Sequence, residues 1–372
     1  MVYTVKWGIL ACGGIAEQFS VDLLTDPHTR NVHDVKHEIA AVASSTSVEK
    51  ARSFIKRING PPTIKPYGSY EELAADPDVD IIYVATPHAY HYANTKLALE
   101  HGKPVLCEKP FTINATQAKK LFELAESKNL FLMEAVWTRF FPLVYELQRL
   151  LFEEKILGKV QRVFADASVP FGLNDLPETH RMLNPDLGGG ALLDLGIYAL
   201  TWIFITCFED PDNEGQLPIV TSGMLKTKTT NVDESTNISL IFPASHVAAV
   251  ATTNMVVKTD PDRVCLIQGE KGNIAVHWPP FHPDSFEINL YPDGTKEEDK
   301  MTTKLLPPKL VNLPSPGKGM FWEADECARC LRDGKIESSR VPHSYTLIVM
   351  ELMDKVRKDN ELSYSAAVEA AD

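Results

Sequence analysis

Lys109 ends the run Val105-Leu106-Cys107-Glu108-Lys109-Pro110, where two apolar β-formers lead into a charged pair and a proline. The proline cannot extend a central strand and biases Lys109 away from helix. In an open parallel sheet, ligands collect in the crevice outside the carboxyl ends of the strands. Lys109 therefore stands where a strand stops and a cofactor pocket could begin; a solvated Glu108–Lys109 pair is the plainer reading. The second stretch is Gly188-Gly-Gly-Ala-Leu-Leu-Asp-Leu-Gly-Ile-Tyr198. Asp194 and Tyr198 are four apart, so on a helix they leave the same face. On a helix this apolar, a carboxylate and a phenol need partners. The three glycines allow the helix start to approach a backbone or a ligand closely. A satisfied core aspartate with a packing tyrosine would read the same way.

The elements that carry these groups begin with a β-rich run over 3–10, then Ala11-Cys12-Gly13-Gly14-Ile15-Ala16 and a helical pattern to Leu24. Strand, glycine turn and helix are the context in which backbone N–H groups and a helix N-terminus cradle a pyrophosphate. Gly13, Gly14, Ile15 and Ala16 are the expected contacts, although the usual first glycine is Ala11 here. A second strand, 38–44, ends in Ser44-Ser45-Thr46-Ser47 with Lys50 and Arg52 beyond, where an NAD site usually places Asp or Glu. Hydroxyls and cations suit a 2′-phosphate, so Ser44, Ser45, Thr46 and Lys50 favour NADP over NAD; a serine-rich helix cap is the alternative. A buried parallel-type strand, 81–85, runs into Thr86-Pro87-His88-Ala89-Tyr90-His91, a loop expected near nicotinamide. Zinc at His88 and His91 is disfavoured, because no acidic or cysteine ligand lies nearby. A helix over 116–128 and a strand over 130–134 would complete the sheet.

The second half reads as an antiparallel sheet. Runs at 160–169, 236–242, 247–256 and 264–269 have strand composition, several with two-residue alternation. The stretch 192–208 reads as a buried helix, since Asp194 and Gly196 interrupt it and it is short for a membrane span. Segments 208–218 and 278–319 are rich in Pro, Asp and Lys and read as loops for specificity or subunit contacts. Amphipathic helices over 320–331 and 346–358 close the chain. The fold class expected is α/β: a Rossmann domain over residues 1–134, then an α+β domain with a mainly antiparallel open sheet over 135–372.

The 372 residues are 44% hydrophobic and 23% charged, an ordinary soluble composition. A net charge of −13 and a pI near 5.4 argue against nucleic acid or an anionic membrane as partner. The first residues show no secretory pattern, and six scattered cysteines fit a reduced, cytoplasmic protein. Cys327-Ala-Arg-Cys330 is a lone CxxC pair without redox context.

Together, Gly13-Gly14-Ile15-Ala16, Thr86-Pro87-x-x-x-His91, Glu108-Lys109-Pro110, Trp137-Thr-Arg139-Phe140 and the Gly188–Tyr198 stretch resemble the Gfo/Idh/MocA oxidoreductase family over nearly the whole chain. Phe131-Leu-Met-Glu-Ala-Val-Trp-Thr-Arg139, His180-Arg-Met-Leu-Asn-Pro-Asp186 and the run Gly319–Gly334 are most similar to its fungal NADP-dependent D-xylose 1-dehydrogenase branch, with the dimeric dihydrodiol dehydrogenases next. The resemblance implies a sugar substrate held over the nicotinamide between two domains, and a homodimer through the open face of the second sheet. It implies Tyr198 as the acid/base for oxidation at an aldose C1, with Lys109 lowering its pKa. Asp194 would orient sugar hydroxyls or the Lys109–Tyr198 pair. Glu108, Lys109, His88 and His91 are expected along the cofactor, and Trp137, Arg139 and Arg181 on the cofactor or sugar side. A trans-dihydrodiol dehydrogenase or dicarbonyl-sugar reductase is the alternative activity. An NADP-binding sensor without catalysis is the alternative of another class, disfavoured because the proton-transfer set is intact.

Overall fold

The computed structural model describes residues 2–371; Met1 and Asp372, the outer ends of the two expected domains, lie outside the described residues. The first half alternates strand and helix: β1 (Tyr3–Leu10), α1 (Gly14–Leu23), β2 (Val35–Ala43), α2 (Val48–Arg57), β3 (Lys65–Tyr67), α3 (Tyr70–Ala74), β4 (Ile81–Val84), α4 (His91–Glu100), β5 (Val105–Glu108), α5 (Ala115–Lys128) and β6 (Leu132–Ala135). Strands β4, β5 and β6 are buried at every position, as expected where helices cover both faces of a parallel sheet. The strand order is β3-β2-β1-β4-β5-β6, with all pairings parallel. Chain direction across the sheet reverses between β1 and β4, and the crevice opens there. Local chemistry sets the helix starts: Ser47 caps α2, Ser69 and Glu72 form a reciprocal capping box on α3, and Asn114 caps α5.

The second half adds α6 (Pro142–Gln148), β7 (Val160–Ser168), α7 (Ile197–Ile203), β8 (Ile219–Lys226), β9 (Asp233–Phe242), β10 (Val247–Asn254), β11 (Cys265–Gly269), β12 (Gly272–Val276), β13 (Ser285–Leu290), β14 (Lys309–Asn312), α8 (Phe321–Arg332) and α9 (His343–Asp359). Eight strands form one sheet, β14-β13-β12-β11-β7-β10-β9-β8, antiparallel except for the parallel β7–β10 pair. Alternating burial along β9 and β10 leaves one face covered and one open. The 278–319 segment, read from sequence as loop, contributes β13 and β14 to the sheet edge. Their runs of six and four residues are too short and too mixed in composition to stand out beside the prolines and lysines.

Helix α7 is flanked by wide π-type turns, Leu192–Gly196 and Phe204–Phe208. The apolar stretch Pro185–Phe208 is long enough to cross a membrane, but its apolar 18-residue core is 94% buried inside the protein. Helix α8 returns to the first sheet and packs on β1, β2 and α1. There Asp325 receives Arg30 at 2.7 Å and His37 at 2.8 Å, all buried. The sequence boundary at 134/135 thus places in the second unit a helix that packs on the first. Cys327 and Cys330 are buried on α8, and all six cysteines are unpaired.

Candidate active site

A cleft of about 600 Å³ lies at the carboxyl ends of β1, β4 and β5. Gly13, Gly14 and Ile15 form one wall at the start of α1. That helix has no side-chain cap, and a Cβ built at Gly13 or Gly14 would meet nothing within 4 Å. Open glycine backbone in front of an uncapped helix N-terminus fits a dinucleotide pyrophosphate. Ala11, where the fingerprint normally has glycine, adopts φ +95°, so the turn keeps a glycine-like backbone despite the substitution.

Beyond β2, Ser44 and Thr46 share a hydroxyl hydrogen bond of 3.0 Å, while Ser47 accepts the Lys50 N–H as the α2 cap. Ser47 is thus a helix cap, and Ser44 to Thr46 form a separate polar turn. The charges of Lys50 and Arg57 bear on Cys12 of the glycine turn, although burial dominates and pushes that thiol up to about 11. Arg57, absent from the sequence expectation, donates to the Cys12 carbonyl at 3.2 Å and to Glu17 at 3.0 Å. Its signal was only that of a basic residue in the last turn of α2.

The opposite wall gathers side chains far apart in sequence around Asp194. Lys109 Nζ donates to the Asp194 main-chain oxygen at 2.7 Å and to Oδ1 at 3.2 Å. Arg181 donates from both terminal nitrogens, to Oδ1 at 2.9 Å and Oδ2 at 3.3 Å. His88 Nε2 lies 3.4 Å from Oδ1, and its Nδ1 is 3.1 Å from the Gly188 carbonyl. Burial would raise the Asp194 carboxyl, but Lys109, Arg181 and His88 together hold it well below the ordinary range. The glycine run makes this assembly possible. A Cβ at Gly189 would fall within 2.9 Å of the Arg181, Met182 and Asn184 carbonyls, and one at Gly190 within 2.1 Å of Asp233.

Tyr198 stands beside this hub, 6% exposed. Its hydroxyl accepts the Trp137 indole N–H at 2.9 Å, and Lys109 Nζ sits 4.8 Å from the centre of its ring. The expected lowering of its pKa by Lys109 is not found. Burial first, and then the nearby Glu108 charge, push the phenol well above its usual value, against the opposing Trp137 hydrogen bond. The reason is geometric: Lys109 covers the ring face, and Asp194 engages its ammonium.

Other expected residues have different placements. His91 is fully buried and bridges two loops, with Nδ1 2.8 Å from the Pro110 carbonyl and Nε2 2.8 Å from the Thr86 carbonyl. Burial pushes its imidazole down to about 4; it braces the cleft wall where Thr86 and Pro87 line the surface. Glu108 lines the cleft beside Lys109 and accepts the Tyr83 hydroxyl and the Lys109 N–H, and burial raises its carboxyl. Arg139 does not reach the cleft. It is 2% exposed and bonded to Glu209 and the Arg340 carbonyl, over the Tyr345 ring. A half-buried Glu209 partner 70 residues away gave no local sign. Sequence reading also missed Phe281, His282 and Lys318, which line the cleft from the second half. Phe281 stacks on Trp137 at 6.0 Å and tilts against Tyr198 at 5.6 Å. Their only sequence signal was their position in a segment expected to hold specificity loops.

A parallel sheet whose β5 delivers Lys109 to a dinucleotide cleft, joined to a second unit whose apolar helix brings Asp194 and Tyr198 to the same cleft, defines a nicotinamide-dependent oxidoreductase. Residues 5–136 match the oxidoreductase family with the NAD-binding Rossmann fold, and residues 145–275 match the GFO/IDH/MocA C-terminal domain. The chain belongs to the Gfo/Idh/MocA oxidoreductase family. It is 47% identical to the D-xylose 1-dehydrogenase (NADP(+)) of Hypocrea jecorina, covering 97% of this chain and 93% of that protein. It is 33% identical to the trans-1,2-dihydrobenzene-1,2-diol dehydrogenase of Homo sapiens, over 95% and 96% of the two chains. In fold it is similar to a 3-ketoreductase from Actinomadura kijaniata solved with NADP and TDP-benzene. That match has a TM-score of 0.77 at 22% identity and covers 96% of this chain and 98% of the other.

Proposed function

We propose that this chain oxidises an aldose at C1, converting D-xylose to D-xylono-lactone, with NADP as its cofactor. The observation that carries the reading is the convergence of Lys109, Asp194 and Tyr198 on one cleft beside the glycine turn. The substrate comes from the Hypocrea jecorina relative at 47% identity. Gly13 to Ala16 hold the pyrophosphate, and Ser44, Ser45, Thr46 and Lys50 face the 2′-phosphate. Thr86, Pro87, His88 and Lys109 border the nicotinamide. When bound in this cleft, NADP⁺ would supply the hydride acceptor for C1.

Tyr198 takes the C1 hydroxyl proton. Trp137 donates to its oxygen and so favours the phenolate that must form, while Lys109 packs over the ring face and holds it in place. Asp194 fixes Lys109 and Arg181 and so sets where sugar hydroxyls find donors. Residues 1–134 supply the cofactor half and 135–372 the substrate half. Homodimerisation through the open sheet face is supported by Ile219, Leu225 and Ile241, which are 61%, 67% and 42% exposed on β8 and β9.

A second reading, oxidation of a trans-dihydrodiol, is favoured by the aromatic wall of Trp137, Phe171 and Phe281. Initial rates of NADP⁺ reduction with D-xylose, D-glucose and a trans-dihydrodiol, repeated with NAD⁺, separate these. Turnover led by xylose with NADP⁺ is expected. Turnover led by the diol moves the protein to the second reading, and cofactor binding without turnover makes it a sensor.

A further inference from the structure

We propose that Lys318 contacts the pyrophosphate of the bound dinucleotide from the side opposite the glycine turn, joining the second half of the chain to the cofactor. The proposal rests on the NADP reading above. Lys318 lies between Gly317 and Gly319, at φ +90° and +87°. A Cβ at Gly319 would fall 2.4 Å from the Phe141 ring, and one at Gly317 would fall 2.8 Å from Asp22 Oδ1. The loop is therefore pressed against its surroundings in a backbone shape that side chains resist.

Asp22, 2% exposed on α1, holds the loop in place. Its Oδ1 accepts the Lys318 N–H at 3.1 Å, and its Oδ2 accepts the Met320 N–H at 2.8 Å. The helix that cradles phosphate at its start thus pins Lys318 near its end. Gln18 lies about one turn nearer the N-terminus and Gly14 about two turns, roughly 12 Å along the axis from Asp22. Lys318 lines the same cleft as Gln18, Ile15 and Gly14. Its charge bears on His282, which lines the same cleft, where burial is the larger influence on the lowered imidazole.

The cleft's other lysine and arginine, Lys109 and Arg181, are both bound to Asp194. Among the described residues, no carboxylate lies within ion-pair distance of Lys318, whose side chain is exposed. An unpaired ammonium lining the same cleft as an uncapped helix N-terminus places two positive groups around one space. A ligand bearing two adjacent negative phosphates satisfies both.

The test is the dissociation constant of NADP⁺ and of NAD⁺, from protein-fluorescence quenching, for the wild type, Lys318→Met and Lys318→Arg. Lys318→Met is expected to weaken both dinucleotides by the same factor, about fivefold. Its NADP⁺ affinity should depend less on salt, Lys318→Arg should retain most of the affinity, and the sugar KM should stay unchanged. Weakening confined to NADP⁺ would assign Lys318 to the 2′-phosphate and overturn the proposal. A change confined to the sugar KM, or unchanged affinity for both dinucleotides, would overturn it too. Wild-type protein that binds neither dinucleotide would instead overturn the cofactor reading itself. Because Asp22 binds the loop through backbone N–H groups, Lys318→Met leaves that anchor intact, and an unchanged melting temperature would verify this.

Discussion

Lys109 lies over the face of Tyr198, with its Nζ 4.8 Å from the ring centre, while the tyrosine oxygen is bonded to Trp137. The lysine's hydrogen bonds go to Asp194 instead. Its influence on the phenol is therefore exerted through the ring, and Asp194 governs where that charge sits. Burial keeps the phenol protonated in this state. Forming the phenolate depends on what the cleft holds.

Asp194→Asn removes the one carboxylate between Lys109, Arg181 and His88. Breaking a buried pair by deleting one partner leaves uncompensated charge, so the variant is expected to lose about 3 kcal/mol at pH 7. The folded carboxyl titrates well below its ordinary value, so its contribution is fully present above about pH 4 and is lost as pH falls further. Urea unfolding across pH 2–7 should show a gap between wild type and variant that closes below about pH 4.

Glu323 tests the opposite sign. It is fully buried, with neither carboxylate oxygen hydrogen-bonded, and burial, then Glu108 and Asp22, raise its pKa well above normal. The unfolded chain ionises near pH 4.3 while the folded one stays protonated, so stability falls as pH rises past that point. Glu323→Gln should therefore unfold at a higher urea midpoint than wild type at pH 8. The gain should disappear near pH 4.

Ser45→Asp places a carboxylate in the polar turn after β2, where a 2′-phosphate is expected. Repulsion should shift the ratio of kcat/KM for NADP⁺ over NAD⁺ by about tenfold or more toward NAD⁺. Steady-state rates with both cofactors measure it, and an unchanged ratio would remove this turn from the 2′-phosphate site.

Arg139→Met separates structure from cofactor binding. The variant loses the buried guanidinium's bonds to the half-buried Glu209 and to the Arg340 carbonyl, while Glu209 keeps Gln148, so it should be destabilised by about 1–3 kcal/mol. Calorimetric NADP⁺ affinity below the melting transition should match wild type, because Arg139 does not line the cleft.

What the sequence made legible follows the range of the forces involved. Continuous apolar runs at β4 and β5, the glycine turn and the Asp194–Tyr198 spacing are local patterns, and the structure bears each as read. The resemblance pointed to Lys109 as a partner of Asp194, but the residues' spacing could not, because Lys109 stands 85 residues away; Arg181 and His88 as direct partners had no sequence sign. Arg139 looks like a site residue in sequence because its charge is visible and its burial is not. Lys318 was hidden for the converse reason. Its role depends on Asp22, 296 residues earlier, and on flanking glycines whose backbone angles no spacing reveals.

The central claim is that Tyr198 carries the proton. Tyr198→Phe keeps the ring beneath Lys109 and removes only the oxygen. The decisive measurement is kcat for D-xylose oxidation with NADP⁺, taken beside the NADP⁺ dissociation constant of the same variant. A fall of roughly 10²–10⁴-fold in kcat at unchanged cofactor affinity is predicted. Near-normal turnover by the variant would contradict the account.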